Sequence, residues 1–206
     1  MEGVAVRVVG DIHLVRQDFV NLYVVARGGV VLVDAGMRGV SRILSRVLEE
    51  LGYGLKDVDT VVLTHHHYDH AEGLREIVEA SGASVACHRD EAELVERETG
   101  VAPSLLLEDG MEVGGLRVIH TPGHTPGHIA LLDSRTSALF VGDLVYEEGG
   151  RLYEMQHKYS MDPEGNRRSI KRLLDYSFTS ILPSHGNPVV TGAREKLEQL
   201  VRELGL

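Results

Sequence analysis

One cysteine in 206 residues, Cys87, excludes an intramolecular disulfide and leaves no cysteine-based zinc site to be built. That usage suits a reducing compartment. No stretch approaches the roughly 18 consecutive apolar residues of a membrane helix. The opening MEGVAVRVVGDIHLV also lacks the basic-then-apolar order of a secretory leader. A soluble cytoplasmic protein with no membrane partner is therefore expected. Positive charge is scarce as well: 21 Lys and Arg stand against 31 Asp and Glu, a formal net charge of −10. Surfaces that neutralise nucleic-acid phosphates carry clustered Lys and Arg, so no nucleic-acid partner is expected. With 43% hydrophobic and 25% charged residues, the composition is that of an ordinary globular protein. The length suits one domain, residues 1–206, with a sizeable core.

Hydrophobic patterning predicts an α/β fold. Short β-rich runs at 4–9, 12–15, 20–26 and 30–34, with Arg27-Gly28-Gly29 as a hairpin turn, read as an antiparallel start. Residues 38–51 carry Val40, Ile43, Leu44, Val47, Leu48 and Leu51 at helical spacing, and Gly52 supplies a stop. The run 59–64 reads as a buried strand, 71–80 as a helix, 84–87 as a strand and 90–98 as a charged helix. Further strands are predicted at 105–107, 111–113, 116–120, 129–133, 138–141 and 180–182. Asp162 and Pro163 open a helix over 163–176, and Thr191 is expected to cap a final one.

The sharpest signal is Thr64-His65-His66-His67-Tyr68-Asp69-His70. In extended backbone His65, His67 and Asp69 project to one side while His66 and Tyr68 point away, and a turn lets Asp69 and His70 reach a second point. Imidazole and carboxylate are the donors that zinc and similar divalent ions accept. Three further candidates follow predicted strands: His124 in TPGHTPGH, Asp143 in Val-Gly-Asp, and His185 in Ser-His-Gly.

With Val33-Asp34-Ala35-Gly36 added, these segments resemble the metallo-β-lactamase superfamily over nearly the whole chain, and H-x-H-x-D-H is read directly at 65–70. The resemblance implies a four-layer αββα sandwich and a centre of two divalent metal ions, zinc first, with iron or manganese as alternatives. It assigns His65, His67 and His124 to one ion, Asp69, His70 and His185 to the other, and Asp143 as the bridge, with a hydroxide as second bridge. Two ions acidify water, polarise an acyl or phosphoryl oxygen, and stabilise entering and leaving atoms. Two carboxylates and one hydroxide leave a residual positive charge that attracts electron-rich small-molecule substrates. Hydrolysis of an ester, thioester or lactone is expected, with Asp69 orienting the hydroxide. Tyr146, three residues after Asp143, stands where lactonases of the superfamily carry a substrate-facing tyrosine; a packing role is the competing reading.

Other residues read more plainly. Asp34 is either a turn former or a group orienting a ligand histidine. His128 and His66 are expected in hydrogen-bonded supporting roles, His13, His88, His120 and His157 as ordinary polar residues, and Cys87 as a buried strand residue. Glyoxalase-II-like thioesterases share the ligand set but continue into a helical region, whereas only 21 residues follow His185 here. A mononuclear iron persulfide dioxygenase using a set like His65, His124 and Asp143 is an alternative, and a phosphodiesterase or nuclease a further one. Residues 147–162 are expected to form a substrate loop, where Tyr153, Met155, His157 and Tyr159 alternate in a way that suits a pocket wall or a homodimer contact.

Overall fold

The computed structural model describes residues 6–206. Residues 4 and 5 of the first expected strand lie outside them. Contacts divide the chain after Leu107 into two compact units.

The first unit is built from β1 (Val6–Val9), β2 (Ile12–Gln17), β3 (Val20–Ala26), β4 (Val30–Val33), α1 (Val40–Glu50), β5 (Val58–Val62), α2 (Tyr68–Ala71), α3 (Leu74–Ser81), β6 (Ser84–His88), α4 (Ala92–Thr99) and β7 (Leu105–Leu107). Its 7-stranded sheet runs β1 to β7 in chain order. Pairing is antiparallel through β4, as expected, and then parallel across β4, β5, β6 and β7. Helices supply the crossovers that parallel neighbours require. Helix α1 buries Val40, Leu44, Val47 and Leu48, the core-facing stripe of its pattern. It begins at Val40 rather than at 38, because Gly39 holds φ at 87° just ahead of it.

The expected strands 30–34 and 59–64 both end early for a local reason. Asp34 adopts φ 65°, which takes the chain out of β4, and its N–H donates to the Val62 carbonyl at 2.9 Å. A core of β2–β6 residues and the inner faces of α1, α3 and α4 fills this unit, with Leu22, Leu32, Leu44, Val61, Leu63, Leu74 and Ile77 fully buried.

The second unit holds β8 (Glu112–Val113), β9 (Leu116–His120), β10 (Ile129–Asp133), β11 (Ala138–Gly142), β12 (Val145–Glu148), β13 (Arg151–Glu154), α5 (Pro163–Arg172), β14 (Ser180–Pro183) and α6 (Ala193–Glu203). The 5-stranded sheet has the order β14-β11-β10-β9-β8, and only β11 and β14 pair in parallel. Ile119, Leu139, Val141, Ile170, Ile181 and Leu197 lie in a separate core. Asp162 caps α5 as expected, accepting from the Gly165 N–H at 2.9 Å. Thr191 does not cap α6: Gly192, in the left-handed region, occupies that position without a side-chain bond.

The largest departure from the sequence reading lies at 147–162. Instead of one loop, β12 and β13 form a hairpin, turned by Gly149 and Gly150 at φ 59° and 83°. A Gly-Gly pair between alternating residues is a hairpin signal that the sequence carries. Tyr153 lies on β13, Met155 is buried beyond it, and His157 and Tyr159 sit in a helical turn, so the four do not form one continuous alternating face.

Candidate functional site

In the first unit the ligand motif begins where β5 ends, beside the end of its parallel neighbour β4, with Val33 opposite Val62. Asp34 leaves β4 there, and its carboxylate organises the motif. Oδ1 accepts the Thr64 N–H at 2.7 Å, and the Thr64 hydroxyl lies 2.9 Å from Oδ2. That hydroxyl has one proton; donating it to Asp34 leaves it as acceptor for the His65 Nδ1–H, 3.0 Å away. Asp34 Oδ2 also takes the His70 Nδ1–H at 2.9 Å. One buried carboxylate thereby places the lone pair on Nε2 of both His65 and His70, the arrangement a ligand histidine requires. Both readings of Asp34 hold, since it forms the turn and orients two histidines.

His65 Nε2 stands 3.1 Å from His67 Nδ1. Donors about 2.0–2.1 Å from a tetrahedral zinc ion are about 3.3–3.4 Å apart, so this pair fits a shared cation. The chain turns at His67, whose carbonyl accepts from the His70 and Ala71 N–H groups at 2.9 and 3.0 Å. Asp69 and His70 therefore lie on the short helix α2 rather than on extended backbone. Asp69 Oδ2 comes within 3.7 Å of His70 Nε2. His66 points away, and Glu91, fully buried, accepts its N–H at 2.9 Å and also contacts its Nδ1. Nothing in the motif marked Glu91, because its partner lies 25 residues away. Cys87 is fully buried. Burial, followed by the nearby Glu91 charge, pushes its thiol pKa up to about 12, so the plain reading of this residue stands.

In the second unit the three candidates come from three separate segments. His124 lies in the turn between β9 and β10, where Gly123 at φ 137° packs so tightly that a Cβ would fall 2.0 Å from the Asn166 nitrogen. The His124 carbonyl accepts the Met161 N–H at 3.0 Å, and its Nδ1 lies 3.3 Å from Ser160 Oγ. Asp143 follows β11 and His185 follows β14, the parallel pair, with Gly142 opposite Pro183. Asp143 presents Oδ2 to His124 Nε2 at 3.5 Å and Oδ1 to His185 Nε2 at 3.3 Å. A carboxylate with each oxygen turned to a different histidine has the form of a bridging ligand, and both spacings fit cation donors.

His128 serves the support role expected of it. The Asp143 N–H donates to His128 Nε2 at 3.1 Å, which puts the ring proton on Nδ1, 2.9 Å from Thr121 Oγ1. Three other histidines make polar contacts within a few residues of themselves. His88 accepts the Asp90 N–H at 3.2 Å, His120 Nε2 meets the Pro126 carbonyl at 3.0 Å, and His157 pairs with Glu154 at 3.1 Å. Tyr146 is half-buried on β12 and stacks on Tyr153, with ring centroids 5.4 Å apart and 22° between planes. Burial first, then Glu148 and Tyr153, raise its hydroxyl pKa, so it remains a donor at neutral pH. Ser160, which meets His124, is a residue that sequence reading did not single out.

Comparison with known proteins gives a consistent picture. The family profile of the Metallo-beta-lactamase superfamily matches residues 15–185. The Beta-lactamase-like protein 2 homolog of Caenorhabditis elegans is 31% identical over 88% of this chain, which spans 60% of that relative. A Hydroxyacylglutathione hydrolase of Rhodospirillum rubrum is 39% identical over 52% of this chain and 40% of its own length. Among solved structures, a metallo-beta-lactamase family protein from Thermus thermophilus matches with TM-score 0.72 and 26% identity, over 95% of this chain and 79% of that one. The FEZ-1 metallo-beta-lactamase of Legionella gormanii shares the fold at TM-score 0.79 and 20% identity, over 99% and 95%.

Proposed function

Because the chain belongs to the metallo-beta-lactamase superfamily, we propose that it is a hydrolase that works with two divalent ions, zinc first. His65, His67 and His124 would hold one ion, Asp69, His70 and His185 the other, and Asp143 would serve both. The observation that carries the reading is Asp143, each of whose oxygens faces a different histidine.

Bound there, two divalent ions would acidify water and polarise an acyl oxygen. The chain's own residues do the rest. Asp34 fixes the tautomers of His65 and His70, His128 anchors the backbone of Asp143, and Asp69 accepts a hydrogen bond from the attacking water and orients it. Tyr146, protonated at neutral pH, donates to the acyl oxygen as charge develops on it. The proposed substrate is a small ester, thioester or lactone. The hydroxyacylglutathione hydrolase relatives favour including the thioester.

Metal analysis combined with lactone, thioester, ester, phosphodiester and persulfide substrates tests the proposal. Two equivalents of metal and turnover of an acyl substrate are expected. Oxygen uptake with a persulfide on a single iron would replace it with a dioxygenase. Tyr146→Phe should lower kcat about 100-fold, the low end of the cost of losing one oxyanion donor, with metal content unchanged. Unchanged kinetics would leave Tyr146 as a packing residue.

A further inference from the structure

Three consecutive backbone groups around His185 rest on one residue of the β12–β13 hairpin. The Glu147 N–H donates to the His185 carbonyl at 3.0 Å. Gly186, at φ 90°, lies so close that a Cβ would fall 2.0 Å from the Glu147 carbonyl oxygen. The Asn187 N–H donates to Glu147 Oε2 at 2.6 Å. The other carboxylate oxygen, Oε1, accepts the Gly150 N–H at 2.6 Å, which closes the hairpin turn onto the same side chain. Glu147 is buried. A carboxylate taking two short backbone N–H bonds makes a stronger anchor than a neutral acceptor.

We propose that Glu147 is the positioning residue for the metal ligand His185, fixing its backbone so that its Nε2 stays directed toward Asp143. His185 needs such a brace because its side chain is 19% exposed, whereas those of His65, His70 and His124 are buried. Glu147 also ties the ligand to the hairpin that carries Tyr146, so hairpin geometry and retention of one ion are coupled. This inference rests on the two-ion reading above.

Competitive zinc titration against a chromophoric chelator tests it on the intact protein, with circular dichroism to confirm folding. Wild type should bind two equivalents. Glu147→Gln keeps the size but loses one acceptor, and should weaken one equivalent by about 10- to 100-fold, as outer-sphere substitutions at metal sites do, while the other changes less than about 3-fold. Gly186→Ala strains the same joint from the ligand side and carries the same expectation should E147Q fail to fold. Glu154→Gln, which breaks the Arg167 pair on the other strand of the hairpin, should leave both equivalents unchanged. Two wild-type affinities in folded E147Q, or equal weakening of both equivalents, would overturn the role of Glu147. A wild-type protein that binds fewer than two equivalents would overturn the two-ion reading, and this inference with it.

Discussion

The two units hold their candidate ligands by opposite means. In the first, four ligands come from six consecutive residues, and one distant carboxylate, Asp34, sets the ring tautomer of two of them. In the second, three ligands leave three separate segments, and each has its own brace: Ser160 for His124, His128 for Asp143, and Glu147 for His185. His124 apart, both units use the same structural position, the C-terminal ends of two parallel strands side by side, β4 and β5 in one and β11 and β14 in the other. Strand ends are suitable because ladder bonding stops there and the next side chains are held in place by a rigid sheet. A concentrated ligand set can share one organiser, whereas a dispersed set requires several.

That contrast can be broken at three places. Asp143→Ala removes the one group facing both histidines of its unit, and should lower affinity for both ions by more than about 100-fold, beyond the range for supporting groups. Retention of one tightly held ion in that variant would make Asp143 a ligand to a single metal. Asp34→Ala leaves every ligand in place yet removes the acceptor shared by Thr64 and His70. It should cost about 100-fold in affinity, the top of the outer-sphere range, and weaken both ions together, because His65 and His70 are assigned to different ones. Weakening of one ion alone would show that the Thr64 link to His65 carries nothing. Ser160→Ala gives the smallest effect, less than about 10-fold and confined to one ion, since the bond to His124 is long at 3.3 Å. Equal weakening of both ions by this change would erase the distinction between shared and individual bracing.

The same contrast governs how much could be read from sequence. The motif at 65–70 is contiguous, so its chemistry is visible at once. The strand-terminal positions of His124, Asp143 and His185 follow from the apolar runs before them, and the superfamily fold expected from these segments is the fold found. Asp34 reads as either a turn residue or an orienting one because it sits in a turn motif. It does both, and only folding brings it to His70. Glu91, Ser160 and Glu147 carry no local mark, since each acts on a residue 25 or more positions away. The β12–β13 hairpin is different in kind. Its Gly-Gly turn is legible, but a segment of mixed polar and aromatic residues next to a ligand also reads as a substrate loop, and that reading masks it. Cap and boundary errors at 38–40 and 191–192 arise from glycines with positive φ, whose conformation the neighbouring residues do not dictate.

The most direct test of the two-ion hydrolase reading is a titration of metal-free protein with zinc, in which ester, thioester or lactone turnover is followed as a function of equivalents added. No turnover without metal, and full activity reached only at two equivalents, is the predicted result. Turnover by the metal-free protein, or a plateau at one equivalent, would contradict it.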